Sequence, residues 1–225
     1  MTETNLSLAY RALISSHASS KTRILDSSDV ASVAKSFGFA PNVVLNGLVR
    51  GGYLVPVYFS GVYYLPDPDE RDTKFLKRKS YEMVAAACLS RFGKNWYYGL
   101  GSALYIAGLT HQTPYEFFVI TDRHDSASFE FGGNRFRIRK SSVNDYVTGV
   151  EERGLLRFSA PARTITDYLY FYSKEGRQDH AIRTARGILR AFPKARIGKR
   201  LIDIYPAPYN LAVAYCADAA SGGHV

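Results

Sequence analysis

The stretch "SSDVASVAKSFGFAPNVVLNGLVRGGYL", residues 27 to 54, constrains the fold of this chain more than any other. It carries two short helical patterns with almost nothing between them. In the first, Ser28 stands as N-cap, Asp29 lies in the first turn, Val30, Val33, Ala34 and Phe37 recur at helical spacing, and Gly38 stops the helix. In the second, Pro41 suits the opening turn, and Val44, Leu45, Leu48 and Val49 share one face until Gly51 and Gly52. A connection this tight predicts a helix-turn-helix. Upstream, Leu6, Ala9, Tyr10, Leu13 and Ile14 form one stripe of an earlier helix, followed by a polar loop. Downstream, Tyr53 to Tyr58 and Val62 to Leu65 read as two strands turning at Ser60 and Gly61, with Pro56 restricted to a sheet edge. Helix, helix, turn, helix, hairpin is the order of a winged helix-turn-helix, predicted over residues 1–66.

Burying the apolar face of the helix at 41–50 leaves Asn42, Val43, Asn46, Gly47 and Arg50 facing outward. Asparagines at i and i+4 present two amides that suit adenine edges in a major groove. Lys21, Arg23 and Lys35 flank that helix and are the candidate phosphate contacts. A winged helix used for protein contacts alone is the competing expectation.

The acidic, proline-containing segment 67–72 reads as a linker into a second domain at 73–216, and 217–225 as a flexible tail. The second domain is mixed. A helix is predicted within "KFLKRKSYEMVAAACLSRFG", a strand at "NWYYG", a short helix at "SALYIAGL" and a buried strand at "YEFFVIT". "SASFEFGGNRFRIRK" predicts a hairpin with Phe136 and Ile138 on one side and Arg135, Arg137 and Arg139 on the other. Strands around "GVEERGLLRFS" and a helix opening at Pro161 follow. A basic helix at about 178 to 191 and an apolar piece near 200 to 216 complete an α+β domain.

Charge is unevenly spread. Of a net +9, the run from Arg177 to Arg200 holds eight basic residues against the single Asp179, which points to a polyanionic partner. Arg183, Arg186 and Arg190 lie at i, i+3 and i+7 of the basic helix, with Ile182, Ala185 and Leu189 behind them. No apolar run reaches the roughly 20 residues of a membrane span, and the start lacks the order of a signal peptide, so the expected location is cytoplasmic. Cys88 and Cys216 are isolated and suggest neither a disulfide framework nor a zinc site.

Several catalytic patterns fail on spacing. "GLGSALYIAG" places Leu104 where a dinucleotide fingerprint needs its third glycine. His111, His124 and Asp125 have no nucleophile elbow to serve. Glu116, Asp122 and Glu130 beside "RIRK" suggest a metal-dependent nuclease, the weaker alternative, but no acidic-x-lysine triplet follows the hairpin. The expectation is a non-enzyme without cofactor or metal.

"YYGLGSALYIAGLTHQTP", preceded by the helix-turn-helix and the "GVYYLPD" wing and followed by "FFVITD" and "SAPARTITDYLYF", resembles the AbiEi-type antitoxins of bacterial and archaeal toxin–antitoxin systems. The resemblance runs from about residue 5 to 175. It implies a winged helix that represses its own operon, joined to an antitoxin domain that counteracts a nucleotidyltransferase-like toxin encoded beside it, without requiring a stable complex. The partners implied are operator DNA, with a homodimer on an inverted repeat as one arrangement, and the toxin, with no membrane. A plain winged-helix regulator with a ligand-sensing or oligomerising second domain is the main alternative.

Overall fold

Asp26, two residues before the expected cap Ser28, opens the second helix. In the computed structural model, which describes residues 3–18, 20, 22–123, 126–143, 145–207 and 209–221, the Asp26 carboxylate accepts the N–H groups of Ser28 (2.7 Å) and Asp29 (3.2 Å). Asp29 returns the contact by accepting from the Asp26 N–H at 2.8 Å, which closes a capping box. Ser28 therefore sits inside the first turn and is not the cap. The Ser28 hydroxyl and these N–H groups hold the Asp26 carboxyl below its usual pKa. Asp26→Ala should cost about 1 kcal/mol near neutral pH. Because the folded pKa is lowered, that contribution is present above the unfolded value and is lost as pH falls through the folded one. Melting curves of the two proteins should therefore converge in acid.

The chain is α+β and divides into two compact units, Met1–Arg91 with Phe131–Gly133, and Phe92–Glu130 with Asn134–Val225. Residue 66, the expected boundary, falls inside the first of these units. In the first unit, α1 (Glu3–Ser16), α2 (Ser27–Ser36) and α3 (Pro41–Arg50) pack on one another around Ala9, Leu13, Val30, Ala34, Val44 and Leu48. A three-stranded antiparallel sheet, ordered β1 (Ile24–Asp26), β3 (Val62–Tyr64), β2 (Val55–Pro56), joins them. The hairpin is shorter than its sequence suggests. Tyr53 and Leu54 donate their N–H groups to the Leu48 carbonyl at 2.9 and 3.2 Å, closing the end of α3, and bury their side chains in the helical core. Only Val55 and Pro56 remain to pair, and β2 is an edge strand, where proline costs no ladder bond.

The segment expected to be a linker is instead a capped helix, α4 (Pro68–Thr73). Asp67 accepts the Glu70 N–H at 2.9 Å, and buried Glu70 accepts the Tyr64 hydroxyl at 2.8 Å and the Lys77 N–H at 2.8 Å. Its acidic residues are a cap and a core hydrogen-bond centre, so the composition that suggested a linker served a different purpose. The helix α5 (Ser80–Phe92) follows.

The second unit is built on a six-stranded mixed sheet, ordered β6 (Ala127–Phe131), β7 (Asn134–Lys140), β5 (Phe117–Thr121), β4 (Trp96–Gly99), β9 (Leu156–Ser159), β8 (Val150–Arg153). Pairing is antiparallel for β4 with β5 and β8 with β9, and parallel for β4 with β9 and β5 with β7. Between β4 and α6 (Leu100–Ile106) the chain turns sharply, with Leu100 at φ +56°. Gly99 precedes that turn because a Cβ there would overlap the Ile120 side chain. The glycine tract thus builds a tight strand-to-helix turn. Beyond it, α7 (Pro161–Lys174), α8 (Gln178–Ala191) and α10 (Tyr209–Ser221) pack mutually, with α9 (Lys199–Asp203) beside α10. Residues 217–221, expected in a flexible tail, continue α10 because Ala217 and Ala220 are buried against the other helices. Among the described residues no helix is long and apolar enough to cross a membrane.

Candidate nucleic-acid and polyanion interfaces

Helix α3 separates its two faces as its pattern predicts. Val44 and Leu48 are fully buried, while Asn42, Val43, Asn46 and Arg50 are exposed, Val43 by 53%. Gly47 does not belong to the free face. A Cβ there would lie 2.6 Å from Leu6 Cδ2, so the glycine is where α1 crosses closely. The outward surface is then two amides at i and i+4, one branched apolar side chain between them, and a cation at the C-terminal end.

The three flanking cations fare differently. Lys35 is exposed in the last turn of α2. Arg23 is partly buried, holds φ +50°, and directs its guanidinium at the Asp67 carboxylate 3.8 Å away. Its backbone carbonyl also accepts the Leu65 N–H at 2.9 Å. This arginine ties β1 to the start of α4, which leaves its guanidinium less available to a phosphate than the exposed Lys35 ammonium is. Lys21 lies outside the described residues. At the tip of the hairpin, Tyr58 is exposed with φ +35°, and Gly61 takes φ +78° beside Ser27.

In the second unit the arginines of β7 alternate outward as expected but are not free. Arg135 and Arg137 approach Glu116 at 3.5 and 3.0 Å, and Arg135 also donates to the Tyr115 hydroxyl at 2.9 Å. Arg139 pairs with Glu175 and lies over the Phe171 ring. A carboxylate occupied by two guanidiniums is poorly placed to hold a metal ion, which weakens the nuclease reading of Glu116. Among the described residues no three His, Cys, Asp or Glu side chains converge as a metal would need.

The arginines of α8 behave otherwise. Ala181, Ala185 and Ile188 are buried, and Ile182 and Leu189 are partly buried around them, which leaves Arg183, Arg186 and Arg190 exposed. Arg186 donates to the Ala219 carbonyl at 2.8 Å, near the end of α10, a favourable place for a cation. Arg183 and Arg190 find no acid or carbonyl among the described residues. Arg183 instead borders a 410 Å³ cavity with Arg177 and His180, and Arg190 borders a cleft of 830 Å³.

One cluster escaped the sequence reading. Arg163 and Asp167, at i and i+4 of α7, are fully buried as an ion pair at 3.2 Å. Tyr97 and Tyr205 donate to the same Asp167 oxygen at 2.9 and 2.7 Å, and Arg163 donates to Tyr97 and to the Thr148 and Asp145 carbonyls. Burial pushes the Asp167 carboxyl upward, against the pull of Arg163 and the two tyrosine hydroxyls. Burial also works against the Arg163 cation, but Tyr97 and Asp167 hold its pKa above the ordinary value. The only sequence signal was a charged pair at helical spacing inside "PARTITDYLYF", where a solvated face is the commoner meaning.

No family model matches this chain, and no curated protein does. Among solved structures it is similar to the crystal structure of the RV2827C protein from Mycobacterium tuberculosis, at a TM-score of 0.59 and 12% identity over 95% of this chain and 77% of that one. At that identity the likeness is one of fold alone.

Proposed function

We propose that the chain is an AbiEi-type antitoxin and autorepressor: its N-terminal unit is a winged helix that binds its own operator through α3, and its C-terminal unit counteracts a nucleotidyltransferase-like toxin. The observation that carries the DNA half is the outward row Asn42, Val43, Asn46 and Arg50 on a helix whose opposite face is buried. Two amides can each bond an adenine edge in bidentate fashion, and a branched apolar side chain between them suits a thymine methyl. The operator half-site should therefore contain adjacent A·T pairs. The antitoxin half is supported by the resemblance and by Arg183 and Arg190, cations on the outer face of α8 without a partner among the described residues. The protein acts without metal or cofactor and in the cytoplasm.

Phosphate contacts release counterions, so affinity for promoter DNA should fall steeply with salt, with a slope of about −0.9 per contact. Lys35→Ala should shallow that slope by about one unit. Arg23→Ala should leave it nearly unchanged, because Arg23 is engaged by Asp67. Fluorescence titrations at several salt concentrations separate the two variants.

The full chain tests the division of labour in cells. A reporter driven by its own promoter reads repression, and growth after induction of the neighbouring toxin reads neutralisation. Reversing Arg183 and Arg190 to glutamate should abolish growth rescue and leave repression intact. Loss of repression alone, or of neither activity, contradicts the assignment of roles to the two units.

A further inference from the structure

The cleft beside α8 has a chemistry that the charge pattern alone did not reveal. It lies among α8, residues 193–198, α9 and α10, and its 830 Å³ is in the range of ligand-binding cavities. Arg186, Arg190 and Arg196 stand along it with one acid, Asp218, so the local charge is strongly positive. Arg190 and Arg196 are exposed and have no partner among the described residues. Leu189, Ile197, Ile202 and the alanines of α10 supply an aliphatic part of the lining beside them.

That combination discriminates between polyanions. Nucleic acid held without base readout needs cations along its backbone and aromatic rings for its bases, and among the described residues no aromatic side chain lines this cleft. A phosphate backbone also gains nothing from an aliphatic wall. A protein segment carrying carboxylates and aliphatic side chains uses both parts: the arginines take the carboxylates, which they can bind in bidentate fashion, and the wall takes the methyl groups. The apolar surface extends past the cleft. On α10, Leu211 and Tyr215 are 73% and 69% exposed, one helical turn apart, and they lie next around the helix from Ala214 and Asp218 on the cleft side. Large apolar side chains left this open beside an arginine row mark a protein-binding surface.

We infer that the cleft bounded by α8, α9 and α10 is a docking site for an acidic, aliphatic segment of a protein partner. The inference deepens the antitoxin reading and rests on it only for the identity of that partner, the toxin. The geometry of the site stands without it.

The test uses the full chain and three fluorescent probes of equal charge: a helical peptide with leucine and glutamate at i, i+4 spacing, an oligoglutamate, and a single-stranded oligodeoxynucleotide. The peptide should bind at least about tenfold more tightly than either of the others. Arg190→Glu with Arg196→Glu should weaken peptide binding by about tenfold or more. Ala214→Phe, which fills the cleft without altering charge, should weaken it as well. Both variants should melt within a few degrees of the parent, since Arg190 and Arg196 are exposed and Ala214 is only half-buried. Equal or tighter binding of the oligonucleotide or of oligoglutamate overturns the inference, as does peptide binding that neither variant changes. The toxin-rescue assay is read separately. Peptide binding lost in the variants while rescue persists upholds the cleft and removes the toxin as its occupant. Rescue without any peptide binding leaves the antitoxin reading and removes the docking site.

Discussion

Replacing Arg163 with methionine should cost the C-terminal unit about 3–5 kcal/mol, because it leaves the buried Asp167 carboxylate without its charged partner. The same change strips donors from the Thr148 and Asp145 carbonyls and from the Tyr97 hydroxyl. The expected fall in Tm is roughly 10–20 °C for a unit of this size. Adding Asp167→Leu to the methionine variant should recover at least about 1 kcal/mol, since an apolar pair no longer buries an unmatched charge. Thermal or urea melts of the two single variants and the double variant make the cycle. A loss below about 1 kcal/mol for Arg163→Met would show that the pair is not the centre of this core.

Replacing Asn42 and Asn46 together with alanine should erase the preference for the protein's own promoter. Each bidentate adenine contact is worth about 1–3 kcal/mol, so the pair should account for at least roughly a 30-fold preference. Both side chains are exposed and make no contribution to the core, so the melting temperature should stay within a few degrees of the parent. Non-specific affinity should survive, because it comes from phosphate contacts elsewhere. This pattern, specificity lost with stability and background binding kept, is what distinguishes base readout from a helix that merely solvates its amides.

How far the sequence led depended on whether an element was determined locally. Helix α3 was legible to the residue, because proline, four apolar positions and a glycine pair lie within the same short stretch. Strand β1 was not. It is three residues long and exists only by pairing with Val62–Tyr64, nearly forty positions away. The acidic segment before α4 misled because Asp67 and Glu70 act as a reciprocal cap, and Glu70 serves a buried tyrosine, neither of which composition can show. Among the site residues, exposure on α3 and α8 followed from periodicity, whereas pairing did not. Arg23, Arg135, Arg137 and Arg139 all find partners through tertiary contacts with Asp67, Glu116 and Glu175. The cleft was invisible for the same reason, since it is assembled from three helices and one loop.

Sequence readout through α3 is the central property proposed for this chain. The most direct measurement is a titration of the full-length protein, parent and Asn42→Ala/Asn46→Ala, against its own promoter duplex and a scrambled duplex of equal length and composition at one fixed salt concentration. Readout through α3 predicts that the parent prefers its promoter by at least about 30-fold and that the variant binds both duplexes alike, at the parent's affinity for scrambled DNA. Equal affinity of the parent for both duplexes, or an unchanged preference in the variant, would contradict it.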